Sequence, residues 1–162
     1  MKRFFVLVIS VAAIGFLFSF GSSNSSSFSK WMVGQKVSIK DLLGEESESD
    51  WYLINLWAVY DAASRDENVR FSTVIQKLNA NNHSIKSISV SMDKYESIFE
   101  EVIKQDGLNF SEIRREPDGF RSKFAKAMKL NSKFGSFLID GNGKIVAKKI
   151  VPEELEASFS AE

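Results

Sequence analysis

Cysteine is missing altogether from these 162 residues, histidine occurs once and proline twice. Without a thiol the chain forms no disulfide and offers no thiolate, either as nucleophile or as metal ligand. The single histidine, His83, sits in Asn81-Asn82-His83-Ser84 with no ligand-spaced partner, and reads as an exposed turn residue. An excess of charge is missing too: 21 basic and 21 acidic residues balance to zero. A nucleic-acid binder carries a basic excess gathered on one face, so no nucleic-acid partner is expected. Arg114-Arg115 and Lys148-Lys149 are short pairs, too small for a nucleic-acid or lipid patch. No glycine-rich phosphate loop follows a strand, and neither a Gly-x-Ser-x-Gly elbow nor a His-Glu-x-x-His pair occurs, so no cofactor is expected. Asp61, Asp93 and Asp140 fall near strand ends, where carboxylates are common without a metal, and no metal site is expected.

What is present begins with a strong N-terminal pattern. Lys2 and Arg3 precede an uncharged apolar run from Phe4 to Phe20, and a small, polar, serine-rich stretch follows from Gly21. That is the layout of a secretory signal peptide. As a helix the run would span about 25 Å at about 1.5 Å per residue, slightly less than a bilayer core, so an uncleaved membrane tether is the alternative. Acylation as a lipoprotein is excluded, since it needs a cysteine. The expected organisation is a signal peptide or anchor over 1–21, a serine-rich linker over 22–30 and one folded domain over 31–162. The expected location is the cell envelope, on the periplasmic side or beyond.

Along the domain, a short strand or hairpin is expected at Val37–Leu43, ending at Gly44, and a solvated loop at Glu45–Asp50. Trp51 to Ala58 is a nearly unbroken apolar run, the pattern of a strand covered on both faces. Phe71, Val74, Ile75 and Leu78 recur at helical spacing, predicting a helix from about Ala62 to Asn79. Ile88, Val90 and Met92 alternate as a strand. Tyr95, Ile98, Phe99, Val102 and Ile103 then share a helix face that stops at Asp106-Gly107. Leu108–Gly119 reads as a loop, followed by a short helix with Phe120, Phe124, Ala127 and Met128 inward. Phe137-Leu138-Ile139, Asp140-Gly141-Asn142-Gly143 and Ile145-Val146-Ala147 predict a hairpin. Pro152-Glu153-Glu154 opens a last helix, proline suiting its first turn and the acids its dipole. The sum is an α/β fold, a mixed sheet flanked by helices.

Trp57-Ala58-Val59-Tyr60-Asp61-Ala62-Ala63-Ser64-Arg65-Asp66-Glu67 resembles the active-site segment of the thioredoxin superfamily, specifically its exported TlpA/ResA-like redoxins. Those proteins commonly read Trp-Ala-x-Trp/Tyr-Cys-x-x-Cys-Arg-x-Glu. The hairpin Phe137–Val146 is similar to theirs as well, and the resemblance covers roughly residues 33–159. It implies a three-layer thioredoxin-like sandwich with the redox pair replaced by Asp61-Ala62-Ala63-Ser64. It also places a cis-proline about three residues before the hairpin phenylalanine, where this chain has Lys133-Phe134-Gly135-Ser136 and an ordinary trans backbone is expected.

Thiol–disulfide exchange needs an attacking thiolate and a resolving thiol, and a carboxylate with a hydroxyl supplies neither. The chain by itself therefore carries out no such exchange, and no catalytic residue is assigned. Asp61 is expected to cap a helix, a role worth about 0.5–2 kcal/mol. The resemblance implies that extended chains bind beside the former redox site, so Trp57, Tyr60, Phe134 and Gly135, around Asp61 and Ser64, form the candidate surface for a peptide or protein partner. The expected function is a non-redox binding or assembly module. The alternatives are an oxidoreductase-related protein whose thiols come from a partner, and an enzyme repurposing Asp61.

Overall fold

The computed structural model describes residues 28–44 and 48–160. The expected signal or tether segment and most of the serine linker lie outside the described residues. In chain order the elements are α1 (Ile39–Leu43), β1 (Trp51–Trp57), α2 (Ala62–Ala80), β2 (Ile85–Ser91), α3 (Glu96–Asp106), β3 (Glu112–Arg115), a 3₁₀ turn (Gly119–Arg121), α4 (Lys123–Ala127), β4 (Gly135–Asp140), β5 (Ile145–Lys148) and α5 (Pro152–Ser160). The strands form one five-stranded sheet in the order β3-β2-β1-β4-β5. β1, β2 and β3 run parallel; β4 runs antiparallel to β1, and β5 antiparallel to β4. The expected mixed-sheet α/β sandwich is the observed architecture.

Because strand side chains alternate with period two, β1 feeds both layers. Tyr52, Ile54 and Leu56 join Phe28, Trp31, Leu42, Ile88, Val90, Met128, Phe137 and Ile139 in one apolar cluster. Leu53 points the other way, into a second cluster with Phe71, Ile75, Leu78, Leu138, Leu155 and Phe159 from α2, β4 and α5. Asn55 shares that second face. Its amide donates to Asn68 Oδ1 at 2.8 Å, Ser89 Oγ donates to the same oxygen at 2.9 Å, and Trp57 Nε1 donates to Ser89 Oγ at 2.8 Å. This buried polar chain fastens β1 to α2 and β2. Ion pairs add surface links between elements: Arg65 with Asp106, Arg70 with Glu153 and Lys77 with Glu156.

Several expectations are corrected. Residues 39–43 form a helix, not a strand, because Ser38 Oγ accepts from the Asp41 N–H and Gly44 terminates the turn at φ 78°. The expected loop 108–119 contains β3, an edge strand whose Glu-Ile-Arg-Arg composition shows no apolar alternation. On α3 only Val102 is fully buried. Phe99 and Ile103 share a groove with Ile113 of the narrow β3 edge, and Tyr95 and Ile98 stand in solvent. Ala127 is exposed, because the cap at Ser122 sets α4 so that Ala125 and Met128 face inward. The domain begins before residue 31: Phe28 is fully buried, Ser29 bridges to Leu130 and the Lys30 N–H donates to the Lys129 carbonyl at 3.0 Å.

The β4–β5 turn forms as expected, with Asp140 Oδ1 accepting from the N–H groups of Asn142 and Lys144. Gly143 sits at φ 79°, and a Cβ there would collide with the Val37 carbonyl oxygen. The Gly143 carbonyl in turn accepts from the Val37 N–H at 2.8 Å, so the turn holds the N-terminal segment against the sheet. Gly143→Ala combines left-handed strain with a steric clash and is expected to cost more than about 2 kcal/mol. Denaturant unfolding measures it, and a loss below about 0.5 kcal/mol contradicts the assignment.

Candidate functional site

β1 ends at Trp57 and hands the chain through Ala58–Tyr60 to the first turn of α2. That turn is closed by its own polar groups. Asp61, in extended backbone, accepts the Ser64 N–H on Oδ1 at 2.8 Å. Ser64 Oγ donates back to the Asp61 carbonyl at 3.1 Å and accepts from the Ala58 N–H at 3.3 Å. Asp61 is therefore the expected helix cap, and Ser64, only 8% exposed, is committed to the same turn. From the opposite side Asp93, buried just past the end of β2, accepts from the Val59 N–H at 2.8 Å and from Ser91 Oγ at 2.6 Å. The three strand-end aspartates thus serve separate parts of the backbone, Asp61 holding a helix, Asp93 a loop and Asp140 a hairpin. Ala62 and Ala63 are exposed on the first turn.

Beside this turn lies a cleft of about 490 Å³ lined by Leu56, Asp61, Ser64, Glu67, Phe134 and Val151, with Lys133 and Lys149 on its rim. One wall is the loop leading into β4. Its peptide bonds are trans, as expected, and Ser132 within it has φ 55°. Gly135 lines the cleft, and the direction its Cβ would take is filled by the Phe28 ring, 2.8 Å away. Tyr60 projects from the turn, 71% exposed, with its ring 6.0 Å from that of Phe134, which in turn lies 5.4 Å from Phe120. Partial desolvation, reinforced by the carboxylates of Asp93 and Asp61, pushes the Tyr60 phenol above its ordinary value.

The structure brings Tyr60, Asp61, Ser64, Phe134 and Gly135 together as expected, but it removes Trp57 from the surface. Trp57 is wholly buried, since strand alternation turns its indole into the sheet layer, 6.4 Å from the Phe99 ring. Other expectations also change. Arg114 donates to the Leu42 carbonyl and lies over the Phe124 ring, and Arg115 donates to the Lys94 carbonyl, so this pair is half-buried and engaged. His83 is half-buried against Phe159, at 5.2 Å between ring centroids. Trp31 is buried and Trp51 packs edge-on to Phe159 at 5.4 Å, the core and rim packing expected of both.

Sequence reasoning misses Glu67, since a lone acid carries no periodic signal, and it gives Asp93 nothing beyond a place at a strand end. Glu67 makes no hydrogen bond or ion pair among the described residues. Burial raises its pKa, opposed chiefly by Arg70, with Glu153 and Asp66 adding to the rise and Lys149 opposing it.

Asp61→Ala removes the cap and is expected to cost about 1 kcal/mol, with Asp61→Asn restoring most of it. Equal losses in both variants, read from denaturant unfolding, would show that the cap is not what Asp61 supplies. For Glu67, a carboxyl whose folded-state pKa lies above its unfolded value holds its proton more tightly when folded. The stability it withdraws therefore grows as pH rises from the unfolded value through the folded one. Glu67→Gln is expected to melt above the wild type at pH near 7, the gap closing as pH falls below the ordinary glutamate range. A variant that melts lower at neutral pH contradicts this.

Solved structures of other proteins share this architecture. A thioredoxin-like protein from Parabacteroides distasonis is 37% identical, covering 69% of this chain and 81% of that one, with a TM-score of 0.63. A thiol-disulfide oxidoreductase from Bacteroides fragilis is 22% identical over 70% of this chain and 82% of that one, at a TM-score of 0.60. A thiol:disulfide interchange protein from a Bacteroides species is 18% identical over 83% and 87%, also at 0.60. At these last two identities the likeness shows the fold alone. No family model and no curated protein matches the chain. With the fold in place, the identity to the Parabacteroides protein settles the relationship: this chain belongs to the thioredoxin-like proteins, and it does so without a single cysteine.

Proposed function

We propose that this protein is a non-redox binding module of the bacterial cell envelope, holding an extended segment of a partner protein in the cleft between the α2 N-terminus and the loop 131–135. The observation that carries this reading is the cleft itself. It has an apolar wall of Leu56, Phe134 and Val151, and next to that wall stands an exposed aromatic, Tyr60, whose ring lies 6.0 Å from that of Phe134. Exposed aromatics backed by packed neighbours are the residues on which binding energy concentrates. The groups standing where a redox pair would stand are consumed by the backbone of one turn. Asp61 is engaged through Oδ1 in capping the helix, and a thiol exchange would require a thiol this chain lacks. The envelope location rests on Lys2-Arg3, the apolar run Phe4–Phe20 and the serine-rich stretch after it.

The test is selection of peptides from a displayed random library on the full chain, followed by fluorescence anisotropy with the peptides recovered. Tyr60→Ala/Phe134→Ala is expected to weaken their binding at least about tenfold, with unchanged circular dichroism. Failure to select peptides above background, or equal affinity for the double variant, sinks the reading. In an insulin-reduction assay with dithiothreitol the wild type is expected to add nothing to the rate of dithiothreitol alone; acceleration would overturn the non-redox assignment.

A further inference from the structure

The zero net charge conceals a strong asymmetry. Three segments contain bases and no acid: 28–40 with Lys30, Lys36 and Lys40, 119–139 with Arg121, Lys123, Lys126, Lys129 and Lys133, and 141–152 with Lys144, Lys148 and Lys149. Together they hold eleven of the 21 basic residues. The fold joins them. The Lys30 N–H donates to the Lys129 carbonyl, Ser29 bridges to Leu130, Lys36 bridges to Lys144, and Lys148 Nζ donates to the carbonyls of Ser29 and Trp31. Lys30, Lys36, Lys126, Lys129 and Lys144 are all exposed and make no ion pair among the described residues. By contrast, Arg65, Arg70, Lys77, Arg114 and Arg115 each have an acidic partner.

Between Lys30 and Lys36 the chain makes a turn that presents two apolar side chains, Met32 at 69% and Val33 at 60% exposure. The turn is held from both ends. The Gln35 N–H donates to the Met32 carbonyl at 3.1 Å, the Gly34 N–H to the Ile145 carbonyl at 2.8 Å, and the Ile145 N–H to the Gln35 carbonyl at 2.9 Å. Trp31, just behind, is buried on Phe137. Met32 and Val33 are therefore fixed outward, not awaiting a place in the core.

We propose that this tip and its lysines dock on the surface of an anionic phospholipid bilayer, Met32 and Val33 entering the interfacial region while Lys30, Lys36, Lys129 and Lys144 meet the headgroups. Unpaired cations around a small apolar projection match a negatively charged surface with an apolar interior, since both terms add. Position in the sequence agrees. Only the twelve residues from Gly21 to Met32 lead from the end of the apolar run at Phe20 to the tip, so any membrane holding that run lies within reach. This surface is independent of peptide binding in the cleft.

Because the chain has no cysteine, Met32→Cys gives a unique attachment point for an environment-sensitive fluorophore on the full chain, with Ile98→Cys on α3 as the control. With phosphatidylcholine vesicles containing phosphatidylglycerol, the label at 32 is expected to shift to shorter wavelength and to be quenched by spin-labelled lipid, while the label at 98 is unaffected. Pure phosphatidylcholine vesicles are expected to leave it unshifted even where the apolar run is inserted, and raised salt to reverse the shift. Each of Lys30→Gln, Lys36→Gln and Lys144→Gln is expected to lower the docked-to-undocked ratio about fivefold, with melting temperature unchanged. An equal shift on neutral vesicles, a shift driven by protein concentration without lipid, or binding of nucleic acid or acidic polysaccharide without vesicle binding would each overturn the proposal.

Discussion

The structure depends on β1 being buried on both faces. A strand in the middle of the sheet, with layers above and below, has no water to satisfy a stray polar group, so each residue must be apolar or fully bonded. Tyr52, Ile54 and Leu56 serve one layer and Leu53 the other, while Asn55 is tolerated because Asn68 Oδ1 accepts from its amide, an oxygen that Ser89 also bonds. That burial fixes where the chain emerges, and the turn from Ala58 to Ser64 is set by where β1 stops. The site geometry is inherited from the core.

At that exit, a helix N-terminus presents unpaired N–H groups to whatever the sequence supplies. In a redox-active relative the beneficiary would be a thiolate; here it is the Asp61 carboxylate, bonded to Ser64. A carboxylate keeps the sign of the charge without a thiol's reactivity, and the turn remains well formed. Ser64 belongs to the same arrangement, its hydroxyl closing the loop back to Ala58. Beside the turn stands the cleft wall, with Tyr60 leaning on Phe134 and Glu67 half-withdrawn from water.

Much of this was legible in the sequence because it is periodic or local. The apolar run of β1, the helical spacing in α2 and the Asp140–Gly143 turn each carry their own signal, and the absence of cysteine is decisive by inspection. Misreadings came where tertiary context decides. Ser38 and Gly44 overrode the strand-like Val37–Leu43 by capping both ends of a turn of helix. The strand at 112–115 is an edge, where charge is favoured and alternation is not needed. Trp57 looked like part of a surface motif because it adjoins one, yet a single step of strand alternation puts it inside.

Charge shows the same contrast between composition and placement. Lys148-Lys149 is a trivial pair in the sequence, and a balanced total gives no reason to look further. Folding brings residues 28–40 and 119–152 together, so lysines far apart in the chain become neighbours of one apolar turn. Like charges gathered this way repel, and they are costly to keep unless something negative meets them. Burial lowers the Lys148 pKa, and the neighbouring Lys149 adds to it. Two of the lysines from these segments, Lys133 and Lys149, also line the cleft beside α2. The basic segments and the cleft therefore share a border, and a bilayer meeting the first would set which way the second opens.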